Sequence, residues 1–112
     1  MNTMTNPAAA PMSLPTPTLQ TLDRVERIFW AGCTARNPVL YFAKACAKVG
    51  YLAQRTSGAG VLYYLASALN EQKHGYLAER LGHGTAASKH YADRDRDLRM
   101  LKRAVAPAAT AP

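Results

Sequence analysis

Val61-Leu62-Tyr63-Tyr64-Leu65-Ala66-Ser67-Ala68-Leu69 is a run of nine residues without a single charge. It follows a Ser57-Gly58-Ala59-Gly60 breaker and leads into polar Asn70 to Lys73. Apolar and polar residues do not alternate here, so the run reads as helix rather than strand. The expected helix covers Val61 to about Lys73. A helix apolar on every side is central in its bundle or faces a partner. The run is about half the length that crosses a bilayer, so no membrane span is expected.

Upstream, Pro38 is placed to open a helix in its first turn, running to about Arg55. Val39, Leu40, Phe42, Ala43, Cys46, Ala47 and Val49 give it a wide apolar surface, and Lys44, Lys48 and Arg55 form a basic stripe. A first helix begins near Thr18 or Thr21, either of which could cap it. Leu19, Leu22, Val25 and Phe29 recur at three- and four-residue steps along one face. It ends before Asn37-Pro38, because proline disfavours helical geometry in the residue before it.

Downstream, His74-Gly75 reads as a stop. A short fourth helix follows from Tyr76 to Leu81, then a tight Gly82-His83-Gly84 turn. Thr85 is the expected cap of a fifth helix that reaches about Arg103. Asp93 to Asp97 alternates acid and base and predicts an exposed charged helix, docked through a seam of Leu98 and Leu101.

The fold expected is all-α, a small compact bundle of about five helices. Residues 1–17 hold four prolines and no charge, and 104–112 are nearly all Ala and Pro. Both predict disordered tails, because neither has enough apolar surface to offset ordering entropy. The folding unit is thus 18–103, a single domain.

Charge is the most informative feature of composition. Fourteen Lys and Arg face seven Asp and Glu, a formal +7. Such an excess attracts phosphate backbones or acidic protein surfaces. It falls in two blocks, Arg24 to Arg55 and Lys73 to Arg103, around a nearly uncharged centre. The first charge is Asp23, so neither a secretory signal nor an Arg-rich transit peptide is read, and a bacterial-type cytoplasmic location is expected. Cys33 and Cys46 read as two small buried thiols. The three histidines show no metal-ligand spacing, and no glycine-rich phosphate loop ends in Gly-Lys-Ser/Thr. No metal or cofactor is expected.

The segment Leu77 to Tyr91 reads as helix, three-residue turn, helix, with small Ala78 at the crossing and Gly82 at the bend. Its Leu77-Ala78 and Leu81-Gly82 core resembles the helix-turn-helix of small bacterial repressors. His83 and Ser88 stand where those repressors carry β-branched residues. Read as a helix-turn-helix, the second helix presents Thr85, Ser88, Lys89 and His90 outward for phosphate and base-edge contacts in a major groove, and the basic residues Lys44, Lys48, Arg96 and Arg99 are the further candidate nucleic-acid contacts.

Residues 65–91 also resemble the C-terminal segment of tyrosine recombinases, the phage integrases. That resemblance matches His83 to the family's phosphate-contacting histidine and Tyr91 to its nucleophile. Tyr91 follows His83 by eight residues where the family has about nine, and no arginine lies between Arg55 and Arg80. Phosphoryl transfer depends on cations clamped around developing charge. The resemblance therefore implies at most a degenerate fragment, and the chain is expected to be non-catalytic.

The leading expectation is a small basic DNA-binding regulator or accessory protein, with a homodimer as its assembly. The alternative is a protein-protein interaction module, an adaptor or inhibitor, that presents Val61, Leu62, Tyr63, Tyr64 and Leu65 from a tyrosine-rich helix. Tyrosine and arginine are enriched at such interfaces.

Overall fold

The computed structural model describes residues 12–13, 19–57 and 60–110, with side chains described over 21–56 and 60–105. Among the described residues four helices make the fold: α1 (Leu19–Cys33), α2 (Pro38–Gln54), α3 (Gly60–Arg80) and α4 (Gly84–Thr110). Two short strands, β1 (Met12–Ser13) and β2 (Thr56–Ser57), pair in parallel with Met12 opposite Thr56 and Ser13 opposite Ser57. The expected 1–17 tail lies otherwise outside the described residues.

The helix starts follow from local chemistry. Asn37 caps α2, its side-chain oxygen accepting from the Leu40 N–H at 3.2 Å, and Pro38 occupies the first turn, where its missing N–H costs nothing. At the other end of the hairpin, Gly82 adopts φ +76°. The His83 N–H reaches the Ala78 carbonyl and the Gly82 N–H reaches Glu79, which closes α3 in a Schellman motif. The Ala87 N–H then bonds the His83 carbonyl, so α4 starts at Gly84. Thr85 lies inside the first turn and is not the cap expected.

The count of helices is four rather than five because α3 does not stop at His74-Gly75. A glycine ends a helix when its backbone turns left-handed, and among the described residues only Gly82 does so. Gly75 stays helical and buried, and the Tyr91 ring of α4 fills the space its missing side chain leaves. The short 76–81 helix is therefore the last part of a 21-residue helix.

Helix α3 is the centre. It packs along both α2 and α4, which make no comparable contact with each other. Cys46 of α2 bonds the Ala66 carbonyl on one flank of α3, at 3.3 Å. On the other flank Ser67 donates to Asp97 at 2.5 Å and Arg94 donates to Gln72 at 2.7 Å. Helix α1 lies over the resulting layer. The core combines Val25 from α1, Phe42 from α2, Val61, Leu65 and Leu69 from α3, and Leu101 and Val105 from α4. The last helix continues past Arg103 to Thr110, and Val105 is fully buried. Among the described residues, no helix is long and apolar enough to cross a membrane.

Candidate nucleic-acid interface

At 100° per residue, successive turns of α4 divide into two sides. Tyr91, Arg94 and Asp97 face α3 and bond to it. Thr85, Lys89, Ala92, Arg96, Arg99 and Arg103 fall on the opposite side and are all exposed, with exposed Ser88 beside them. From Lys89 to Arg103 this basic stripe runs about 21 Å along the helix axis. Lys89, Arg99 and Arg103 form no ion pair among the described residues, and Arg96 has only a long 3.5 Å contact to Asp93. Four guanidinium or ammonium groups thus face solvent, three of them without an acid partner among the described residues.

Lys44 and Lys48 form a second stripe on α2, with Tyr51 and with Arg55 stacked on it at 5.3 Å from the ring centre. This stripe lies opposite Cys46 on the helix and so points away from α3. Because α2 and α4 flank α3, the two stripes occupy opposite edges of the layer. Lys89, Arg96 and Arg99 are brought together, and Lys44 and Lys48 are brought together, but the two groups are not joined into one face.

His90, expected in the outward set, instead turns towards α3, being 100° round from Lys89. Its Nδ1 lies 2.8 Å from Glu71 Oε1, and its ring stacks on His74 with centroids 5.5 Å apart. Arg94 also departs from the expected solvated charge run. Its guanidinium donates to the oxygen of Gln72, which is buried, pairs with Asp95 at 2.8 Å, and lies over the Tyr91 ring. The 93–97 alternation carries no sign of which cation folds back. The spacing from Gly75 to the partner helix could be read only once that glycine was seen as a contact.

The proposed partner-docking residues are distributed differently from expectation. Val61 and Leu65 are buried in the core, Leu62 and Tyr64 are half-buried, and only Tyr63 stands well out, at 54% exposure. A central helix consumes its apolar sides internally. Cys33 is exposed rather than buried, and neither cysteine forms a disulfide.

His83 and Tyr91 occupy different environments. His83 is exposed in the turn, whereas Tyr91 lies in the α3–α4 seam with its hydroxyl donating to Glu79. Burial and the Glu79 carboxylate hold the Tyr91 phenol protonated well above its ordinary range. Among the described residues, no group of three His, Cys, Asp or Glu is arranged to hold a metal. Comparison of the chain with family models, curated proteins and solved structures finds no match.

Proposed function

We propose that this protein is a non-catalytic DNA-binding accessory protein that meets the duplex through the outward side of α4. The observation that carries this reading is the stripe of Lys89, Arg96, Arg99 and Arg103, four exposed cations on one rigid helix of which, among the described residues, only Arg96 has an acid partner, Asp93 at 3.5 Å. A rigid helix holds its charges in fixed register with a phosphate backbone, so little ordering entropy is lost on binding. The dipole of α4 adds positive potential at its amino end, where Thr85 and Ser88 offer hydroxyls for phosphate or base-edge contacts. The α2 stripe lies on the far edge and is assigned no part in the same contact.

The test is anisotropy titration of a labelled duplex at increasing salt. Four phosphate contacts predict a log–log slope of about −3 to −4. Replacing Lys89, Arg96, Arg99 and Arg103 by Gln should flatten the slope, while replacing Lys44, Lys48 and Arg55 should leave it nearly unchanged. No binding at low ionic strength, or equal losses from the two sets, would overturn the proposal.

A further inference from the structure

A cleft of about 670 Å³ opens at one end of the bundle, where the α1–α2 junction meets the last turns of α3. Pro38, Val39 and Tyr76 supply apolar lining, and Arg36, Asn37 and Arg80 supply polar groups. The size is that of a small-molecule site, and so is the composition, apolar with a few placed polar groups.

The polar groups around it are mostly donors. Arg36 and Arg80 form no ion pair among the described residues. Asn37 spends its oxygen on the α2 cap, which leaves its amide hydrogens free to donate. The one acid in the lining, Glu79, accepts a hydrogen bond from Tyr91, so the lining sets two guanidinium groups against one carboxylate. Tyr76 commits its hydroxyl to Cys33 Sγ at 3.1 Å, so it offers the cleft no free donor of its own.

We infer that this cleft binds a small amphiphilic carboxylate, with the anion held between Arg36 and Arg80 and an aromatic or short aliphatic body against Pro38 and Val39. Guanidinium and carboxylate match in planar, bidentate geometry, which a point charge does not reproduce. The apolar body accounts for the lining that an inorganic anion would leave uncovered. None of the lining residues belongs to the α4 stripe, so this site stands or falls independently of DNA binding.

Amide chemical-shift titration of the full chain tests it, with 2-naphthoate as probe. Acetate supplies the anion without the body, and 2-naphthalenemethanol supplies the body without the anion. Naphthoate should give saturable shifts at residues 36–39 and 76–80, and both controls should bind at least about tenfold more weakly, the alcohol because it lacks the charged hydrogen-bonding contact and acetate because it lacks the apolar body. R36Q and R80Q, both at exposed positions, should each weaken naphthoate by a similar factor while leaving the helical spectrum unchanged. The inference is overturned if naphthoate shifts instead centre on the apolar groove between α1 and α4 at Leu22, Phe29 and Leu98. It is equally overturned if the shifts never saturate, if the neutral alcohol binds as well, or if R36Q and R80Q bind naphthoate like the parent chain.

Discussion

The Tyr91 ring occupies the space beside Gly75 so closely that a methyl group built on Gly75 would stand 2.8 Å from ring Cδ1 and nearer still to Cε1. Helices α3 and α4 therefore approach through a glycine on one side and a tyrosine on the other. The tyrosine is pinned at its far end by Glu79 and covered by Arg94, with the Arg94 carbon 4.9 Å from the ring centre.

Gly75→Ala should consequently destabilise the fold even though alanine is the better helix former. Helix propensity favours the change by about 1 kcal/mol, and overpacking a pinned ring costs up to about 3 kcal/mol. The net expectation is a loss of about 2 kcal/mol in urea unfolding. In a Tyr91→Ala background the same change should become neutral or stabilising. Gly50 is the control, because nothing stands within 4 Å of where its Cβ would be. Gly50→Ala should raise stability by about 0.4–1 kcal/mol.

Arg94 and Gln72 make a second seam between these helices. Gln72 is only 3% exposed, and its side-chain oxygen accepts from Arg94. Arg94→Ala leaves that buried oxygen without its partner, a cost of about 1–3 kcal/mol. Gln72→Met in the same chain removes the stranded polar group at similar volume and should recover most of the loss. A double-mutant cycle by thermal unfolding measures the coupling. Equal stability of the Arg94→Ala single and the double variant would show that the Gln72 oxygen finds another donor.

Much of this architecture is legible in sequence, and the parts that are not share a physical cause. The uncharged 61–69 run places α3 at the centre, and Asn37-Pro38 and Gly82 mark real helix boundaries. His74-Gly75 misleads because a glycine is used equally for a turn and for a close approach, and the residue that distinguishes the two lies sixteen positions away. Val105 misleads in the other direction, since Ala and Pro around it hide a side chain that the core buries completely. The outward cations of α4 follow from helical period alone. The fold-back of His90 and Arg94 depends on acceptors supplied by α3, Glu71 and Gln72, which periodicity within α4 does not encode. The Arg36–Arg80 cleft joins residues 44 positions apart and has no local signature.

The Tyr91 phenol gives a pH dependence with a definite sign. Its pKa is raised above the ordinary 10.0 by burial, then by the hydrogen bond to Glu79 and the Glu79 charge. An unfolded chain releases this proton near pH 10, while the folded chain retains it. The stabilisation is therefore complete below pH 10 and is lost as pH rises beyond it towards the folded value. Tyr91→Phe should lower stability slightly at neutral pH and flatten the decline above pH 10. Denaturant midpoints between pH 8 and 11 check this, and an unchanged alkaline slope in the variant would show that other groups carry it.

Phe42 concentrates the attachment of α1. Its ring lies 5.6 Å from Phe29 and 5.9 Å from Tyr76, centre to centre, and Gly32 approaches it so closely that a methyl group there would overlap the ring. Fully buried, it is the aromatic joint through which α1 and α3 both meet α2. Helix α1 is otherwise held by Val25 with partly buried Leu22 and Phe29, which border α4, by partly buried Ile28, and by Cys33, whose sulfur accepts from the Tyr76 hydroxyl of α3. Phe42→Ala should cost about 3–5 kcal/mol, from lost burial and the cavity left behind. The loss should not fall evenly. Amides of α1 should exchange with solvent at much smaller opening free energies in the variant, while those of the α3–α4 hairpin, held by Arg94, Gln72 and the Gly75–Tyr91 contact, should keep most of their protection. Hydrogen exchange followed residue by residue separates the two outcomes. Uniform loss across all four helices would mean that α1 is an integral part of one cooperative unit, rather than a helix whose attachment depends mainly on the Phe42 ring.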